Sequence, residues 1–299
     1  MRLPYRRCET LRSRHLNQPK PVAHQLRGMP PRPLGILLVG HGTRDGDGTD
    51  EFLSIAKQVA IARPQQIVEP CFLELAEPSI STAVATLAEQ GVEQMIVMPL
   101  LLFAAGHAKR DVPRAIASAL GSYPRIRWTQ AAHLGCHPAI LAQSEARFRE
   151  ALDDRMPTRR ETTALVFVGR GSQDDEATCE MRHFASLAHQ SNRVGVVKVS
   201  FLAMAQPSYP DTLELIAAEH YQRVVVQPHL LFSGELIAGI RQTIETFAAK
   251  FPDTEWLVTD PLGPTSAVST AVLQRIEEAQ ASISETAARA QIHVATTLM

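Results

Sequence analysis

Unbroken apolar runs alternate along this chain with stretches in which apolar residues recur every three or four positions. LGILLVG (34–40) is the first such run. A run with no polar alternation, ending in glycine, predicts a parallel strand buried on both faces. Thr49 to Ala62 then shows helical spacing, with Phe52, Ile55, Ala56 and Val59 on one face. IVEPCFLEL (67–75) predicts a second strand. Pro78 to Gln90 predicts a helix with proline in its first turn and Gly91 beyond its end. QMIVMPLLLF (94–103) is a third strand, Val112 to Leu120 a helix opened by Pro113, RIRWTQAAHLG (125–135) a fourth strand running into a loop, and His137 to Leu152 a closing helix. The plan then recurs, with strands expected at ALVFVG (164–169), VGVVKVSFL (194–202), RVVVQPHLLF (223–232) and EWLVTDPLG (255–263). Strands and helices alternating at this spacing imply βαβ units, hence an α/β fold with parallel sheets covered on both faces.

The recurrence extends to the letters. VGHGT (39–43) returns as VGRGS (168–172), FLELAEPS (72–79) as FLAMAQPS (201–208), and VMPLLLF (97–103) as VQPHLLF (226–232), all at an offset of 129 residues. Three blocks at one spacing indicate an internal duplication. Two similar domains are expected, 34–153 and 163–282, each a parallel four-stranded sheet flanked by helices. The polar stretch 153–163 reads as a hinge, 1–33 as a disordered basic extension and 283–299 as a tail. Within this likeness the halves differ in chemistry. His41 aligns with Arg170, Glu74 with Ala203, and His107 with Leu236, or with Glu235 across a one-residue gap.

Composition narrows the setting. A chain of 299 residues with 45% hydrophobic content can bury one or two ordinary cores, and the repeat decides for two. The net charge of -1 hides a basic N-terminus: residues 1–33 hold eight Lys/Arg and one acid, with six prolines and no apolar period. Such a segment fits a transit peptide, a nucleic-acid-binding tail or a dispensable extension. No run approaches the roughly 18 apolar residues of a membrane span, and no apolar segment follows the N-terminus as in a secretory signal. The four cysteines (Cys8, Cys71, Cys136, Cys179) form no CxxC pair, and Cys71 reads as a buried thiol. A reducing, cytoplasmic setting is expected.

The candidate chemistry lies at strand ends. His41 follows strand one, Glu74 closes strand two and His107 follows strand three. Ligands of open parallel sheets bind beyond the carboxyl ends of the strands, so three residues from separate blocks fall on one edge. Two imidazoles and a carboxylate suit a borderline divalent ion such as cobalt, nickel, iron or zinc. Three protein ligands also leave coordination positions open to water or substrate. Taken singly, His41 could be a turn residue and Glu74 a capping carboxylate, and the GHG turn could cradle an anion. Arg44, Lys109 and Arg110 flank the histidines and are candidates for binding substrate carboxylates; a solvated charged face is the alternative. Asp45 and Asp111 could position those cations or relay protons. His133 and His137 are four apart, but Gly135 and Pro138 argue against one helix presenting both. His183, His189, His220 and His229 read as structural or surface residues.

These blocks resemble the sirohydrochlorin chelatases of the CbiX type. The resemblance rests on GHGTRDGDGTDEF (40–52), CFLELAEPSI (71–80), MPLLLFAAGHAKRDVP (98–113), VGRGSQDDEA (168–177) and QPHLLFSGEL (227–236), and covers roughly 34–265. It implies the long form, in which two fused halves face each other as the subunits of short members do, and a fold similar to class II chelatases. On this resemblance the chain is a lyase that inserts a divalent metal into a tetrapyrrole, Co2+ favoured for the cobalamin branch, Fe2+ next for sirohaem, Ni2+ third. His41 and His107 are then the metal-binding and catalytic histidines, and Glu74 the accompanying carboxylate. No cofactor is implied beyond the metal substrate, no nucleic acid or membrane partner is expected, and the chain is expected to be a monomer with pseudo-dimeric halves. No histidine-rich tract or Fe–S-like cysteine cluster occurs, so a built-in metal store is not expected. A non-catalytic metal or tetrapyrrole carrier using the same ligands is the alternative; a scaffold for a small anion is the third.

Overall fold

The first strand, β1 (Leu34–Gly40), pairs in parallel with β2 (Ile67–Phe72) on one side and β3 (Gln94–Pro99) on the other, and β3 pairs with β4 (Arg127–Gln130). The sheet order is therefore β2-β1-β3-β4. The second half repeats it as β6-β5-β7-β8, from β5 (Thr163–Gly169), β6 (Val196–Phe201), β7 (Arg223–Pro228) and β8 (Glu255–Val258). The fold is the expected one, two similar α/β domains with parallel four-stranded sheets. The architecture comes from a computed structural model that describes residues 33–104, 106–153, 155 and 160–297; the side chains of 107, 108, 189, 191, 192 and 286–297 lie outside the description. Of the expected basic extension, 1–33, all but Pro33 likewise falls outside the described residues.

The helices are α1 (Gly46–Ala62), α2 (Ile80–Glu89), α3 (Val112–Ala119), α4 (Pro138–Leu152), α5 (Asp175–Asn192), α6 (Tyr209–Ala218), α7 (Glu235–Lys250) and α8 (Ser266–Thr297). Several boundaries shift from the sequence reading for local reasons. Helix α1 begins at Gly46, not Thr49, because the Asp45 carboxylate accepts from the Asp47 N–H and caps it. Ser79 caps α2, which starts after Pro78. Strand β2 stops at Phe72, so Glu74 lies on the loop two residues beyond the strand. Strand β3 stops at Pro99, so 100–103 is loop as well. Helix α8 continues past 282, the helical one of the two forms (helical or frayed) expected for the tail, and no helix among the described residues is long and apolar enough to cross a membrane.

Each sheet buries its two faces differently. In the first, Leu37, Val39, Met95 and Val97 point into a core private to that half, against residues of α2 and α3. The alternate positions, Ile36, Leu38, Ile96 and Met98, enter a second core that also contains Leu165, Phe167 and Val225 of the other sheet. The helices that close each half make this shared core. Helix α4 leaves the first half to pack on β7 and α5, and α8 returns to pack on β3, β4 and α1. Polar contacts fix both crossings. Buried Gln227 donates to the Ser144 carbonyl (2.8 Å) and hydroxyl (3.0 Å), Ser269 donates to Gln58 (2.7 Å), and Arg147 donates to the Pro261 carbonyl (2.7 Å).

The loops after β3 and β7 cross in the same reciprocal way. Phe232 meets Phe52 of the first half edge-on, at 6.4 Å between ring centroids. Phe103 stacks at 4.9 Å on His229 of the second half, whose other neighbour is Phe184 at 4.3 Å. His229 is 4% exposed, and neither ring nitrogen has a hydrogen-bond partner among the described residues. It is thus a core residue, within the structural role expected of it. Burial holds the ring neutral and pushes its pKa down to about 3. The unfolded chain protonates the same ring near pH 6.5 and so binds more protons between those values. This residue's contribution to stability is complete above pH 6.5 and declines as pH falls toward 3. Between pH 7 and 5 the decline is about 2 kcal/mol. In urea titrations at those two pH values, His229→Leu is expected to lose less stability than the wild type by that amount; equal losses would refute the assignment.

Candidate metal and macrocycle site

The loop after β1 is built around a glycine that tolerates no side chain. Gly42 has φ +96, and a Cβ there would lie 1.7 Å from the Glu74 carbonyl oxygen. The loops after β1 and β2 therefore touch backbone to backbone, and the Glu74 N–H donates to the His41 carbonyl at 3.1 Å. The second half copies the scaffold: Gly171 has φ +91, its Cβ would lie 1.7 Å from the Ala203 carbonyl oxygen, and Ala203 N–H donates to Arg170 at 3.0 Å. The backbone device is common to both halves, and the first carries His41 and Glu74 on it where the second carries Arg170 and Ala203.

In that half, His41 Nε2 stands 3.3 Å from Glu74 Oε1. Two donors bound to one ion at the usual ~2.0–2.2 Å, with an angle between square and tetrahedral, lie about 3.0–3.5 Å apart. The pair thus has the spacing of two ligands of a single ion. His41 Nδ1 lies 3.2 Å from the Gly42 carbonyl; as donor there it makes Nε2 the accepting nitrogen of the ring. His107, the third expected ligand, opens a π-turn (His107–Asp111) immediately before α3. Its side chain lies outside the described residues, and among those described no group of three or more His, Cys, Asp or Glu forms a metal cluster. Helical insertions of this type recur at functional sites.

The expected carboxylate-binding cations occupy different surroundings. Arg44 is exposed beside the His41 loop. The Arg110 guanidinium folds back over Gly106, next to His107. Lys109 reaches across to the second half and donates to Asp174 at 2.8 Å and Glu176 at 2.6 Å, and these hydrogen bonds raise its pKa while lowering that of Asp174. Behind this turn a cavity of about 570 Å3 is lined by Lys109, Trp128 and His133 among others. Asp45, a candidate positioning or relay group, serves as the α1 cap. His133 and His137 are separated as their flanking glycine and proline suggested: His133 Nε2 lies 2.8 Å from Glu180, and His137 caps α4 by accepting from the Ala139 N–H. Cys71 is buried, as the apolar run predicts.

Residues that sequence reasoning passed over also line this edge. Arg170 Nη1 lies 3.2 Å from His41 Nε2, so the two repeat-equivalent residues meet across the halves. Leu75 and Met204, again equivalent, are 53% and 55% exposed, and both hold left-handed backbone (φ 65 and 60). Exposed apolar side chains on strained backbone are a recurring property of ligand clamps. The signal that could have found all of them was the repeat, which aligns His41 with Arg170 and Leu75 with Met204 at the common offset.

Comparison with known proteins adds an independent line. A family model described as CbiX matches residues 35–151 and again 164–279. A sirohydrochlorin cobaltochelatase of Priestia megaterium is 29% identical over 244 residues, 81% of this chain and 79% of that protein. A sirohydrochlorin ferrochelatase of the same organism is 31% identical over 210 residues, 70% of this chain and 77% of that protein. Among solved structures, SirB from Bacillus subtilis with Fe3+ superposes with a TM-score of 0.74 at 28% identity, covering 83% of this chain and 95% of that one.

The backbone contact at Gly42 yields a paired test. Gly42→Ala must push the Glu74 loop away and is expected to weaken Co2+ binding at least about tenfold, the loss of one ligand's alignment. Gly171→Ala creates the same clash in the half without ligands and is expected to lower the melting temperature to a similar degree without weakening Co2+ binding. Calorimetric titration and thermal melts of the two variants separate these outcomes; equal loss of Co2+ affinity in both would contradict the site.

Proposed function

The chain belongs to the CbiX family, and on that premise we propose that it is a sirohydrochlorin chelatase, a lyase of the metal-chelatase type that inserts Co2+ by preference and Fe2+ next. The observation that carries this reading is the His41–Glu74 pair, set at ligand spacing on the carboxyl edge of the first sheet. Relatives named for cobalt and for iron match at similar identity and over similar lengths, so Co2+ is placed first on the family resemblance alone. Such ligands follow the general affinity order of divalent ions, and the ion available in the cell sets the product.

In the proposed reaction His41, Glu74 and His107 hold the metal ion above the macrocycle. Insertion forms four metal–nitrogen bonds and releases the two pyrrole protons. One of the histidines or Glu74 takes those protons as protein–metal bonds give way. Arg44 and Arg110 bind carboxylates at the ring periphery, and Lys109 joins them when it leaves Asp174 and Glu176. The exposed Leu75 and Met204 suit the apolar surface of a flat ring. We place the protein in the cytoplasm as a monomer with no cofactor beyond its metal substrate.

The test is the absorption of sirohydrochlorin incubated with Co2+ or Fe2+ and the purified protein. The wild type is expected to accelerate formation of the metallated product. His41→Ala and His107→Ala are each expected to slow it by about 100-fold or more, the scale of losing a positioned acid–base group. Full activity in the His107→Ala variant would refute the site assignment. Tight Co2+ binding without any acceleration would identify a carrier instead.

A further inference from the structure

The repeat-equivalent of the first metal-binding histidine occupies that histidine's metal-binding atom. Arg170 Nη1 lies 3.2 Å from His41 Nε2, the nitrogen that also faces Glu74 at 3.3 Å. A guanidinium donates and never accepts, so the contact uses the Nε2 lone pair. A metal ion requires the same lone pair and carries charge of the same sign. The two are therefore mutually exclusive at His41.

Arg170 is anchored at its base and exposed at its tip. Its carbonyl accepts from Ala203 N–H, and the neighbouring Gly171 packs on the Ala203 carbonyl, so the main chain cannot follow the side chain outward. The guanidinium is exposed on the loop after β5, at the carboxyl edge of the second sheet and facing the first-half site. Its planar fork matches a carboxylate better than it matches one imidazole nitrogen. A ring that carries peripheral carboxylates offers that better partner.

We infer that Arg170 couples the two substrates: it covers His41 Nε2 in the empty protein and moves to a carboxylate of the macrocycle, which opens the metal position. This inference rests on the chelatase reading above and adds to it an order of events. Macrocycle binding favours metal binding, and by linkage the metal favours the macrocycle by the same factor. Arg170 is thus a positioning residue supplied by the half that lacks metal ligands.

Arg170→Gln in the full chain tests this through two separate titrations. Co2+ alone is followed by calorimetry, and metal-free sirohydrochlorin alone, in chelator-treated buffer, by its fluorescence. The variant is expected to bind Co2+ about tenfold more tightly and sirohydrochlorin about tenfold more weakly, the effect of one charged hydrogen bond removed from each side. Opposite shifts are the signature, because a damaged fold would weaken both. Arg170→Lys, which retains charge without the fork, is expected to recover part of the sirohydrochlorin affinity. Co2+ affinity that is unchanged or weaker in Arg170→Gln overturns the inference while leaving the chelatase reading intact. A wild type that binds neither Co2+ nor sirohydrochlorin overturns the chelatase reading itself, and the inference with it.

Discussion

Each sheet of this protein has one apolar face that its own half does not close, and covering that face organises everything else. Helices α4 and α8 leave the half in which they arise and pack on the opposite one. The result is one core shared by Leu38 and Met98 of the first sheet with Leu165 and Phe167 of the second. From Pro33 onward the chain forms a single compact unit. Separating the halves would expose that whole core at about 25 cal/mol for each Å2 of apolar surface and would leave buried Gln227 and Ser144 without partners.

The site inherits its precision from this packing. Loops at the carboxyl edges of parallel strands gain a defined position only from what they rest against. Here each rests on its neighbour through a glycine with no room for a side chain, and on the opposite half through crossed contacts. Ser233 donates to Glu51 from both its N–H (2.7 Å) and its hydroxyl (2.8 Å), while Lys109 and His133 engage acids at the start of α5. These contacts join the loop that leads to His107 and the loop that bears Arg170 to one frame. Duplication thus supplied two copies of a precise backbone device, and divergence assigned them different work. One copy carries His41, Glu74 and His107, the proposed metal donors; the other presents Arg170, Ala203 and Leu236, or Glu235 across a one-residue gap, at the equivalent positions.

Much of this was legible in the chain. Strand-like runs located all eight strands, most sharply the central β1 and β5, which are apolar and buried almost throughout, while the outer β2, β4 and β6 carry polar residues such as Glu69, Arg127 and Lys198. The common offset of the repeated blocks established two similar domains. His41 and Glu74 were legible as candidates because their counterparts, Arg170 and Ala203, are not metal ligands, and the structure brings the pair to 3.3 Å. Local hydrogen bonding then corrected the element ends: the Asp45 cap lengthened α1, and the left-handed turn at Leu75 left Glu74 on a loop.

What the sequence by itself determined was therefore everything set by neighbours along the chain: the order of elements, the buried faces, the duplicated plan and the strand-end loops. The tertiary structure alone decided which half each closing helix covers, that Lys109 meets Asp174 and Glu176, that His229 is buried between Phe103 and Phe184, and that Arg170 stands on His41 Nε2. Hydrophobic periodicity is a local property, repeated every two or 3.6 residues, and can be read in one dimension. A contact between residues 129 apart depends on how two complete sheets dock, and no local period encodes that docking.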